Sequence, residues 1–587
     1  MTPILDILQT TFGFPAFRGM QADVVARVMA GQRTAAIMPT GAGKSLCYQL
    51  PAVALPGTCV VISPLIALMH DQLRAAETIG IRAATLTSVD ENRAETVARF
   101  RGGDLDLLYV APERASQASF RGLLREAPLC LFAIDEAHCV SEWGHDFRPD
   151  YRLLRPLLDD FAQVPRLALT ATADAHTRED ICDQLDIPRD GLIVAGFDRP
   201  NIRYHMTPRA GTSAQVADVV AAHPGPGIVY VQSRKGTEAL AAQLGGAGRE
   251  VRAYHAGMEP DVRRRNQAEF VNSEEMIMVA TIAFGMGIDK PDVRFVVHAG
   301  LPKSIEAYYQ ETGRAGRDGD PAGAYLFWGA DDFARARQRL SEVEEKRLPG
   351  ERTRLQALGT LVETPGCRRA ILLSHFGDAA AANCGNCDNC LNPPASVDAT
   401  EIARKFLSAV YRTGQSFGVT HLEDVLTGNA NERAVKLGHD RLSVFGIVEG
   451  DDAAMIKPVA RALLLRGALE TNEHGGLMLG SDARAILKGA TTVDLLVPPK
   501  RERRQKRGSV ANPVGNPLFE DLRECRRTLA VAAGLPPYVI FHDSTLREMA
   551  TARPASLSAM GRITGVGARK LEAYGAAFLL VIEAASA

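Results

Sequence analysis

The sequence lacks a long apolar run, an N-terminal secretory pattern and a sizeable net charge. No stretch approaches the ~20 consecutive apolar residues that span a bilayer, so we expect no membrane role. The opening MTPILDILQT has no basic segment leading into an apolar one, which favours a cytoplasmic protein. The net charge of −2 gives no overall attraction to nucleic acid, and the local basic run at 500–507 is equally typical of a solvated linker.

The ten cysteines divide into isolated residues and one cluster of four. The isolated residues lie mostly in apolar runs and are predicted to be buried packing residues in a reducing compartment: Cys47, Cys59, Cys130, Cys139, Cys182 and Cys525. The clustered residues follow a C-x16-C-x2-C-x2-C pattern: Cys367, Cys384, Cys387 and Cys390. Four thiolates at such spacing suit tetrahedral Zn²⁺, and an iron–sulfur cluster is the alternative that the spacing leaves open.

The length of 587 residues predicts three to five domains, at the usual ~100–200 residues each. Short apolar runs alternate with helical patterns, which predicts parallel sheets flanked by helices. A first series occupies 34–37, 59–63, 107–110, 129–134, 166–169 and 192–194. After 198–201 a second series occupies 227–231, 251–254, 276–280, 295–298 and 324–327. Two tandem α/β lobes are therefore expected.

The segment MPTGAGKSLCYQLP (38–51) follows the first apolar run. The strict phosphate-loop pattern has a glycine where Met38 stands, so the motif is incomplete. Gly41 and Gly43 nevertheless allow backbone amides to turn toward phosphate, Lys44 supplies a cation, and Ser45 offers a hydroxyl to Mg²⁺ at the start of a helix. The alternative is a Gly-Lys-Ser turn without a phosphate role.

Asp135 and Glu136 end the apolar run LFAI, where open α/β sheets place their ligands. Asp135 is predicted to hold Mg²⁺, and Glu136 to orient or deprotonate the attacking water. The alternative is a helix-capping turn, which becomes less attractive with Lys44 upstream. Together these residues predict Mg²⁺-dependent hydrolysis of a nucleoside triphosphate.

Arg314 and Arg317 in YYQETGRAGRDG (308–319) lie three residues apart on the second predicted lobe. At helical spacing both could face one cleft and act as arginine fingers, and the alternative is a surface salt-bridge pair. If the fingers and the phosphate loop belong to different lobes, hydrolysis must be coupled to lobe closure. The sequence thus predicts a molecular motor.

The segment SEWGHDFRPDY (141–151) interleaves aromatic and basic side chains. The aromatic residues Trp143, Phe147 and Tyr151, interleaved with His145 and Arg148, could form a stacking platform for single-stranded bases, and the alternative is a loop that packs the lobes. Because this segment follows Asp135 and Glu136 closely, it could couple DNA binding to hydrolysis.

The motifs resemble those of the RecQ family of superfamily 2 DNA helicases over nearly the whole chain. The shared segments are PLIALMHDQ (64–72), DEAHCVSEWGHDFRPDY (135–151), ALTATA (168–173), YHAGM (254–258), ATIAFGMGIDKPDVRFVVH (280–298) and YYQETGRAGRDG (308–319). The resemblance implies two RecA-like lobes (1–200 and 201–330), a zinc-binding segment (331–395), a winged-helix domain (396–489), a basic linker (490–515) and a small helical HRDC-like domain (516–587). It also implies a structural zinc at the four cysteines.

The resemblance assigns an adenine-reading role to FGFPAFRGMQ (12–21). Phe14 would stack on the base, Arg18 would lie near the nucleotide, and Gln21 would bond the adenine edge. The family usually has Tyr at the stacking position, but stacking needs only a π face. The resemblance further places Thr40 at the nucleotide, Gln310 near the attacking water, and Thr170 and Thr172 in the motif that links the lobes.

Two C-terminal segments carry further expected DNA contacts. GHDRLSVFGI (438–447) resembles the winged-helix motif and includes His439, but the acidic run 449–452 that follows does not favour phosphate binding. GRITGVGARKLEAYG (561–575) resembles the HRDC domain, where Gly565, Gly567 and Lys570 could contact phosphate. A tight turn without DNA contact is the equal alternative.

The resemblance implies an ATP-dependent DNA helicase that moves 3′ to 5′ on single strands, uses ATP, Mg²⁺ and Zn²⁺, and serves recombination and repair. Its implied partners are single-stranded and branched duplex DNA, with a single-strand-binding protein as a further candidate, and the implied state is a monomer. The alternatives are an RNA-directed ATPase of the same superfamily and a non-catalytic zinc-containing DNA-binding protein.

Overall fold

A computed structural model describes residues 4–87, 90, 92–141, 147–246, 248–285, 288–345, 347–379, 381–472, 476–497 and 516–585. The predicted aromatic residues Trp143 and His145 and the basic run 500–507 lie outside the described residues. Within the described ranges, no helix is long and apolar enough to cross a bilayer.

Lobe 1 (residues 4–194) is built on a seven-stranded sheet in which every recorded strand pair is parallel. The strand order is β3-β4-β2-β5-β6-β1-β7. The strands are β1 (Thr34–Ile37), β2 (Thr58–Ile62), β3 (Ala83–Leu86), β4 (Leu107–Val110), β5 (Leu129–Ile134), β6 (Arg166–Thr170) and β7 (Leu192–Val194). Most are buried along their whole length, as expected for parallel strands covered by helices on both faces.

Lobe 2 (residues 202–328) repeats this plan with six parallel strands in the order β10-β11-β9-β12-β13-β8. They are β8 (Ile202–Pro208), β9 (Gly227–Tyr230), β10 (Val251–Tyr254), β11 (Ile277–Ala280), β12 (Phe295–His298) and β13 (Ala322–Trp328). The predicted fold class is confirmed: two parallel-sheet lobes come first, followed by smaller domains.

Helices cover both sheets. Those of lobe 1 are Ile4–Thr10, Gln21–Met29, Leu46–Ala54, Ile66–Thr78, Arg93–Arg101, Pro112–Ala115, Ala118–Leu124, Pro149–Arg152, Arg155–Asp160 and Ala175–Gln184, with 3-10 turns at Ala137–Val140 and Arg189–Gly191. Those of lobe 2 are Thr212–Ala222, Arg234–Gly245, Pro260–Asn272 and Ile305–Thr312.

A helical segment that carries the four clustered cysteines (residues 330–391), named the zinc segment for its predicted metal, follows lobe 2. Its helices are Ala330–Leu340, Leu348–Glu363, Arg368–His375 and Asp388–Leu391. The winged-helix segment (residues 395–497) contains the antiparallel pairs β14 (Ala395–Asp398) with β17 (Asp494–Val497) and β15 (Leu469–Thr471) with β16 (Leu477–Leu479). Its helices are Thr400–Arg412, Val419–Thr427, Glu432–Lys436, Ile456–Leu465 and Ala483–Leu487, with 3-10 turns at His439–Arg441 and Gly450–Met455.

The C-terminal module (residues 516–585) is a bundle of helices with its own apolar core. The helices are Pro517–Ala533, Pro537–Ile540, Asp543–Ala552, Leu557–Met560 and Ala568–Ala584. The longest two pack against each other along much of their length, and Phe578 and Leu522 are fully buried.

The zinc segment packs into the junction of the two lobes. Phe376 stacks on Phe197 of the connecting segment at 4.8 Å between ring centroids, and Tyr309 of lobe 2 donates a hydrogen bond to the Phe197 carbonyl at 2.6 Å. Arg178 of lobe 1 donates to the Phe376 carbonyl at 2.5 Å. One continuous apolar core therefore includes side chains of both lobes and of the zinc segment.

Candidate functional site

The phosphate loop leaves the carboxyl end of β1 and leads into the helix Leu46–Ala54. Gly41 and Gly43 have φ of 85° and 73°, a backbone region that favours glycine. Gln21 fixes the loop, because its side-chain amide donates to the carbonyls of Ala42 at 2.9 Å and Gly43 at 3.2 Å. The predicted adenine-reading glutamine therefore lies directly on the phosphate loop.

Lys44 of this loop contacts the carbonyls of Met38 at 3.2 Å and Pro39 at 3.4 Å through its Nζ. Burial lowers the pKa of Lys44, and the nearby carboxylates of Glu136 and Asp135 oppose that shift. The ammonium thus lies close to both predicted catalytic acids.

Asp135 and Glu136 follow β5 at the same sheet edge as the phosphate loop. Burial and the neighbouring Glu136 together raise the pKa of Asp135 to about 7, and Lys44 opposes the shift. Glu136 has φ 48° and ψ 44°, a left-handed conformation that costs a non-glycine residue on the order of 1 kcal/mol. This strained turn directs adjacent carboxylates into one site.

Two hydrogen bonds link this turn to its surroundings. His138 is fully buried, and burial lowers its pKa to about 3, so the imidazole is neutral. Its Nδ1 lies 2.8 Å from the Thr170 hydroxyl and 3.4 Å from a Glu136 carboxylate oxygen, and the second contact is not an ion pair. Tyr151 is also fully buried, so the expectation that its ring stacks on bases is wrong; its hydroxyl donates to the Asp135 carbonyl at 2.8 Å.

The donor set at this turn fits Mg²⁺. Carboxylate and hydroxyl oxygens are its preferred protein ligands, and Asp135 and Ser45 offer them. The Oε2 atom of the adjacent Glu136 is buried without a hydrogen-bond partner among the described residues. A cation held by Asp135 and Ser45 would offset the mutual repulsion of the two carboxylates.

The two candidate arginine fingers lie in different surroundings. The helix Ile305–Thr312 ends before them, so helical spacing does not apply. Arg314 is 3% exposed and lies inside lobe 2, with its Nη1 3.4 Å from the Ile288 carbonyl. Arg317 forms an ion pair with Asp289, and its Cα lies 3.6 Å from where a Cβ on Gly41 would stand. Arg317 therefore borders the phosphate loop across the lobe boundary.

Arg199, which the sequence analysis did not select, joins the two lobes at this boundary. Its Nη1 donates to the carbonyls of Thr40 at 2.8 Å and Gly313 at 3.1 Å. Its Nη2 donates to the carbonyls of Ala315 and Gly316, each at 2.9 Å. The guanidinium thus connects the phosphate loop to the segment that carries Arg317. The acceptors are backbone carbonyls, which every residue type carries, so this contact was not predictable from residue types.

Of the remaining nucleotide candidates, Arg18 is connected to the phosphate loop through Gln21, and Thr40 belongs to the loop. The Arg18 guanidinium lies 5.6 Å from the centroid of the Phe14 ring, and the Arg18 amide donates to the Gln21 side chain at 2.9 Å. Thr40 is buried beside Gly313 of lobe 2. Gln310 is half-buried on the helix Ile305–Thr312.

The four clustered cysteines converge on one point. The sulfur atoms of Cys367, Cys384, Cys387 and Cys390 all lie within 4.8 Å of one another. Those of Cys384 and Cys390 are 3.9 Å apart, close to the ~3.8 Å that tetrahedral geometry with 2.3 Å zinc–sulfur bonds requires. The backbone amides of Ala370 and Asn386 donate to the sulfur atoms of Cys367 and Cys384 respectively. This arrangement fits a closed structural zinc site.

Comparison with known proteins decides the family. Residues 18–181 match the DEAD/DEAH box helicase model, 213–319 the helicase conserved C-terminal domain, 330–391 the RecQ zinc-binding model, 393–504 the RQC domain and 516–582 the HRDC domain. The ATP-dependent DNA helicase RecQ of Haemophilus influenzae is 41% identical, covering 99% of this chain and 95% of the relative. The chain belongs to the RecQ family. The RecQ of Bacillus subtilis is 37% identical, covering 98% of each chain.

The match to the RecQ zinc-binding model supports zinc at the cysteine cluster of this RecQ-family chain, in place of an iron–sulfur cluster. The cluster is closely tied to lobe 2. Cys387 forms an isolated parallel bridge with Tyr204 of β8, and Asp388 accepts a hydrogen bond from the Met206 amide at 2.8 Å. The zinc site thus supports an edge strand of the second lobe.

The predicted DNA contacts of this RecQ-family chain have varied surroundings. The Phe147 ring packs under Arg152, and Arg148 donates to the Pro64 carbonyl at 3.1 Å. His439 is 8% exposed, and its Nδ1 lies 2.8 Å from the Nε2 of His421. Lys570 donates to the Val539 carbonyl at 2.7 Å, and burial lowers its pKa to about 8. Phe147 and Arg148 are half-buried beside the Asp135 turn, whereas the other two side chains are held within their own domains.

We predict that Tyr151→Phe lowers the DNA-stimulated turnover of ATP with little change in the KM for ATP. The substitution keeps the ring but leaves the Asp135 carbonyl without its donor, so the Asp135–Glu136 turn is less well fixed. If the misplaced Asp135–Glu136 turn raises the activation free energy of hydrolysis by about 1.4 kcal/mol, turnover falls about tenfold. Steady-state kinetics would measure both constants.

The matched control is Tyr308→Phe, which removes a fully buried hydroxyl that has no hydrogen-bond partner in the described part of the chain. Equal turnover losses in both variants would contradict a specific role for the Tyr151 hydroxyl.

We also predict that Cys387→Ser removes the zinc and lowers the thermal stability of the motor lobes, because Cys387 bridges to Tyr204 in the shared core. Zinc content by mass spectrometry and calorimetric unfolding would measure the two effects. Cys525→Ser, at an isolated cysteine of the C-terminal module, is the control and should retain zinc. A zinc-free Cys387 variant with unchanged unfolding of the lobes would refute the structural role.

Proposed function

We propose that this RecQ-family chain is an ATP-dependent DNA helicase that moves 3′ to 5′ along single-stranded DNA and unwinds duplex or branched DNA in recombination and repair. One observation carries the proposal: the phosphate loop and the carboxylates of lobe 1 meet Arg317 of lobe 2 at a single boundary. Relatives that cover nearly the whole chain are named ATP-dependent DNA helicases, which favours DNA over RNA.

In this proposal lobe 1 holds the nucleotide. Lys44 neutralises charge on the terminal phosphates, while the loop amides at Gly41 and Gly43 face them. Ser45 and Asp135 would hold Mg²⁺, which supplies charge stabilisation at the phosphates when bound. Phe14 stacks on the adenine, Arg18 flanks it, and Gln21 reads its edge with Thr40 nearby.

Hydrolysis of the terminal phosphate needs a base that accepts a proton from the attacking water and a cation that stabilises the transferring phosphoryl group. Glu136 accepts the proton of the attacking water, and Gln310 of lobe 2 helps to position that water. Arg317 leaves Asp289 to stabilise the transferring phosphoryl group, and Arg314 supports its segment from inside lobe 2. Because these residues belong to two lobes, turnover requires the lobes to approach and separate.

DNA binding is assigned to the aromatic segment and to the C-terminal domains. Trp143, His145, Phe147 and Arg148 stack on bases and contact phosphate, and the hydrogen bond from Tyr151 to the Asp135 carbonyl carries the signal to the catalytic turn. His439 and Lys570 would need local rearrangement to reach DNA, because both are engaged within their domains.

The proposed setting is the cytoplasm, with the protein acting as a monomer on single-stranded and branched duplex DNA. A single-strand-binding protein is the candidate protein partner. Separate domains are proposed at 1–200, 201–330, 331–395, 396–489 and 516–587, joined before the last by a linker at 490–515.

The proposal predicts that single-stranded DNA stimulates ATP turnover strongly and that Lys44→Ala abolishes it, since the variant loses the cation at the phosphates. Turnover should be measured with DNA and RNA oligomers of matched sequence, and calorimetric unfolding of the variant controls for misfolding. Equal stimulation by RNA would favour an RNA-directed ATPase. ATP turnover that persists in the Lys44 variant would contradict the assigned site.

A further inference from the structure

The helix Ile305–Thr312 of lobe 2 is held from outside the lobe by the zinc segment. Glu306 in its first turn accepts a hydrogen bond from the Nε2 atom of His375 at 2.6 Å. We propose that His375 is a positioning residue for the candidate arginine finger: through Glu306 it fixes the helix that presents Arg317 to the phosphate loop. The inference deepens the proposed function and rests on it, because it presumes that Arg317 acts on the transferring phosphoryl group.

The contact between Glu306 and His375 is a charge-assisted hydrogen bond in a buried place. Glu306 is 7% exposed, and its second oxygen, Oε2, has no hydrogen-bond partner in the described parts of the chain. Burial alone would raise the pKa of Glu306, but the hydrogen bond and charge of His375, with the Ser304 hydroxyl, lower that pKa to about 2. The carboxylate is therefore ionised and can only accept, so the Nε2 atom of His375 carries the proton.

The histidine ends a helix that begins at the cysteine cluster. This helix, Arg368–His375, has the cluster residue Cys367 as its N-cap. Near its start, the Arg369 side chain donates to the Ile202 carbonyl at 2.7 Å, where β8 begins. One short helix, itself bonded to lobe 2, thus connects the predicted zinc site to the first turn of the helix that precedes the arginine finger.

A second contact on the same face of the helix Ile305–Thr312 also reaches the zinc segment. Tyr309 follows Glu306 by three residues, and side chains at that spacing lie on one side of a helix. The Tyr309 ring centroid lies 4.9 Å from that of Phe376, and its hydroxyl donates to the Phe197 carbonyl at 2.6 Å. Two contacts one turn apart restrain rotation of the helix about its axis more than either contact alone.

The segment that carries Arg317 continues directly from the end of this helix. The Gly313 amide donates to the Tyr309 carbonyl at 2.8 Å, so the chain leaves the helix without a flexible break. The Arg317 Cα lies 3.6 Å from where a Cβ on Gly41 would stand. Because catalytic groups need placement to within about 0.5 Å, a small rotation of the helix is enough to misplace Arg317 at the phosphate loop.

The test uses the full chain with variants on both sides of the pair. His375→Leu removes the donor, and His375→Gln keeps an N–H donor in its place. Glu306→Ala removes the acceptor and leaves no buried charge, so it tests the proposal even if the leucine variant does not fold. His223→Leu is the matched control, because the Nε2 of His223 lies 2.8 Å from the Tyr325 hydroxyl of the same lobe instead of bonding this helix.

Two nucleotide affinities separate positioning from general damage. An arginine finger acts in the transition state, so ADP with aluminium fluoride, which mimics the transferring phosphoryl group, should bind the leucine and alanine variants several-fold more weakly. A non-hydrolysable ATP analogue should bind them as it binds the wild type. The DNA-stimulated kcat should fall by the same factor as the first affinity, with an unchanged KM for ATP. The glutamine variant should recover most of the loss, and zinc content should stay the same throughout.

Three results would overturn the proposal. The first is an unchanged kcat in the leucine and alanine variants. The second is equal weakening of both nucleotide affinities, which would indicate a damaged site and not a misplaced finger. The third is a glutamine variant as impaired as the leucine variant, or a His223 control as impaired as either, because the hydrogen bond to Glu306 would then not be the cause.

Hydrogen exchange separates this inference from the proposed function. The amides of residues 305–317 should exchange faster in the leucine and alanine variants than in the wild type, whether or not the protein hydrolyses ATP. A wild type that fails to hydrolyse ATP even with DNA would contradict the proposed function. Unchanged exchange in both variants would contradict the positioning by His375, whatever the turnover.

Discussion

The Arg199 guanidinium connects the phosphate loop of lobe 1 to the segment of lobe 2 that carries Arg317. Its four hydrogen bonds end on the phosphate loop on one side and on the segment carrying Arg317 on the other, so the catalytic groups of the two sheets share one support. Burial lowers the pKa of Arg199, yet a guanidinium remains charged at neutral pH, and each bond is therefore charge-assisted. Without this side chain, the Thr40 and Gly313 carbonyls would face each other across the boundary with no donor between them.

Other elements of the fold maintain this boundary from a distance. The zinc segment packs Phe376 against Phe197, only two residues before Arg199, and its cysteine cluster supports the edge strand β8 that begins just after Arg199. The C-terminal module contacts both lobes. The zinc segment thus fixes the short connecting segment without taking part in the chemistry.

Much of the fold follows from residue pattern. The predicted ranges match six strands: β1, β4, β5, β7, β10 and β12. They match because strands of a parallel sheet that is covered on both faces are short, nearly continuous apolar runs. Within the described parts of the two lobes, two strands were missed. β3 is Ala-Ala-Thr-Leu, with little intrinsic β preference, and β8 alternates buried Ile202, Tyr204 and Met206 with exposed neighbours at a sheet edge, so neither reads as an apolar run. The convergence of the cysteines was predictable from their spacing. The separation of Arg314 from Arg317 was not predictable, because it depends on a helix that ends at Thr312. The contacts of Arg199 were not predictable either, because their acceptors are backbone carbonyls, which every residue type carries.

The most direct test of a shared site is the distance between the lobes, measured by energy transfer between dyes on exposed residues such as Glu95 of lobe 1 and Gln243 of lobe 2. The dyes should be attached through unnatural amino acids, because the cysteines include the zinc ligands. The account predicts a distance that shortens with a non-hydrolysable ATP analogue, and an Arg199→Ala protein whose nucleotide-free distance is longer than that of the wild type. The same distance in both proteins, with and without nucleotide, would contradict it.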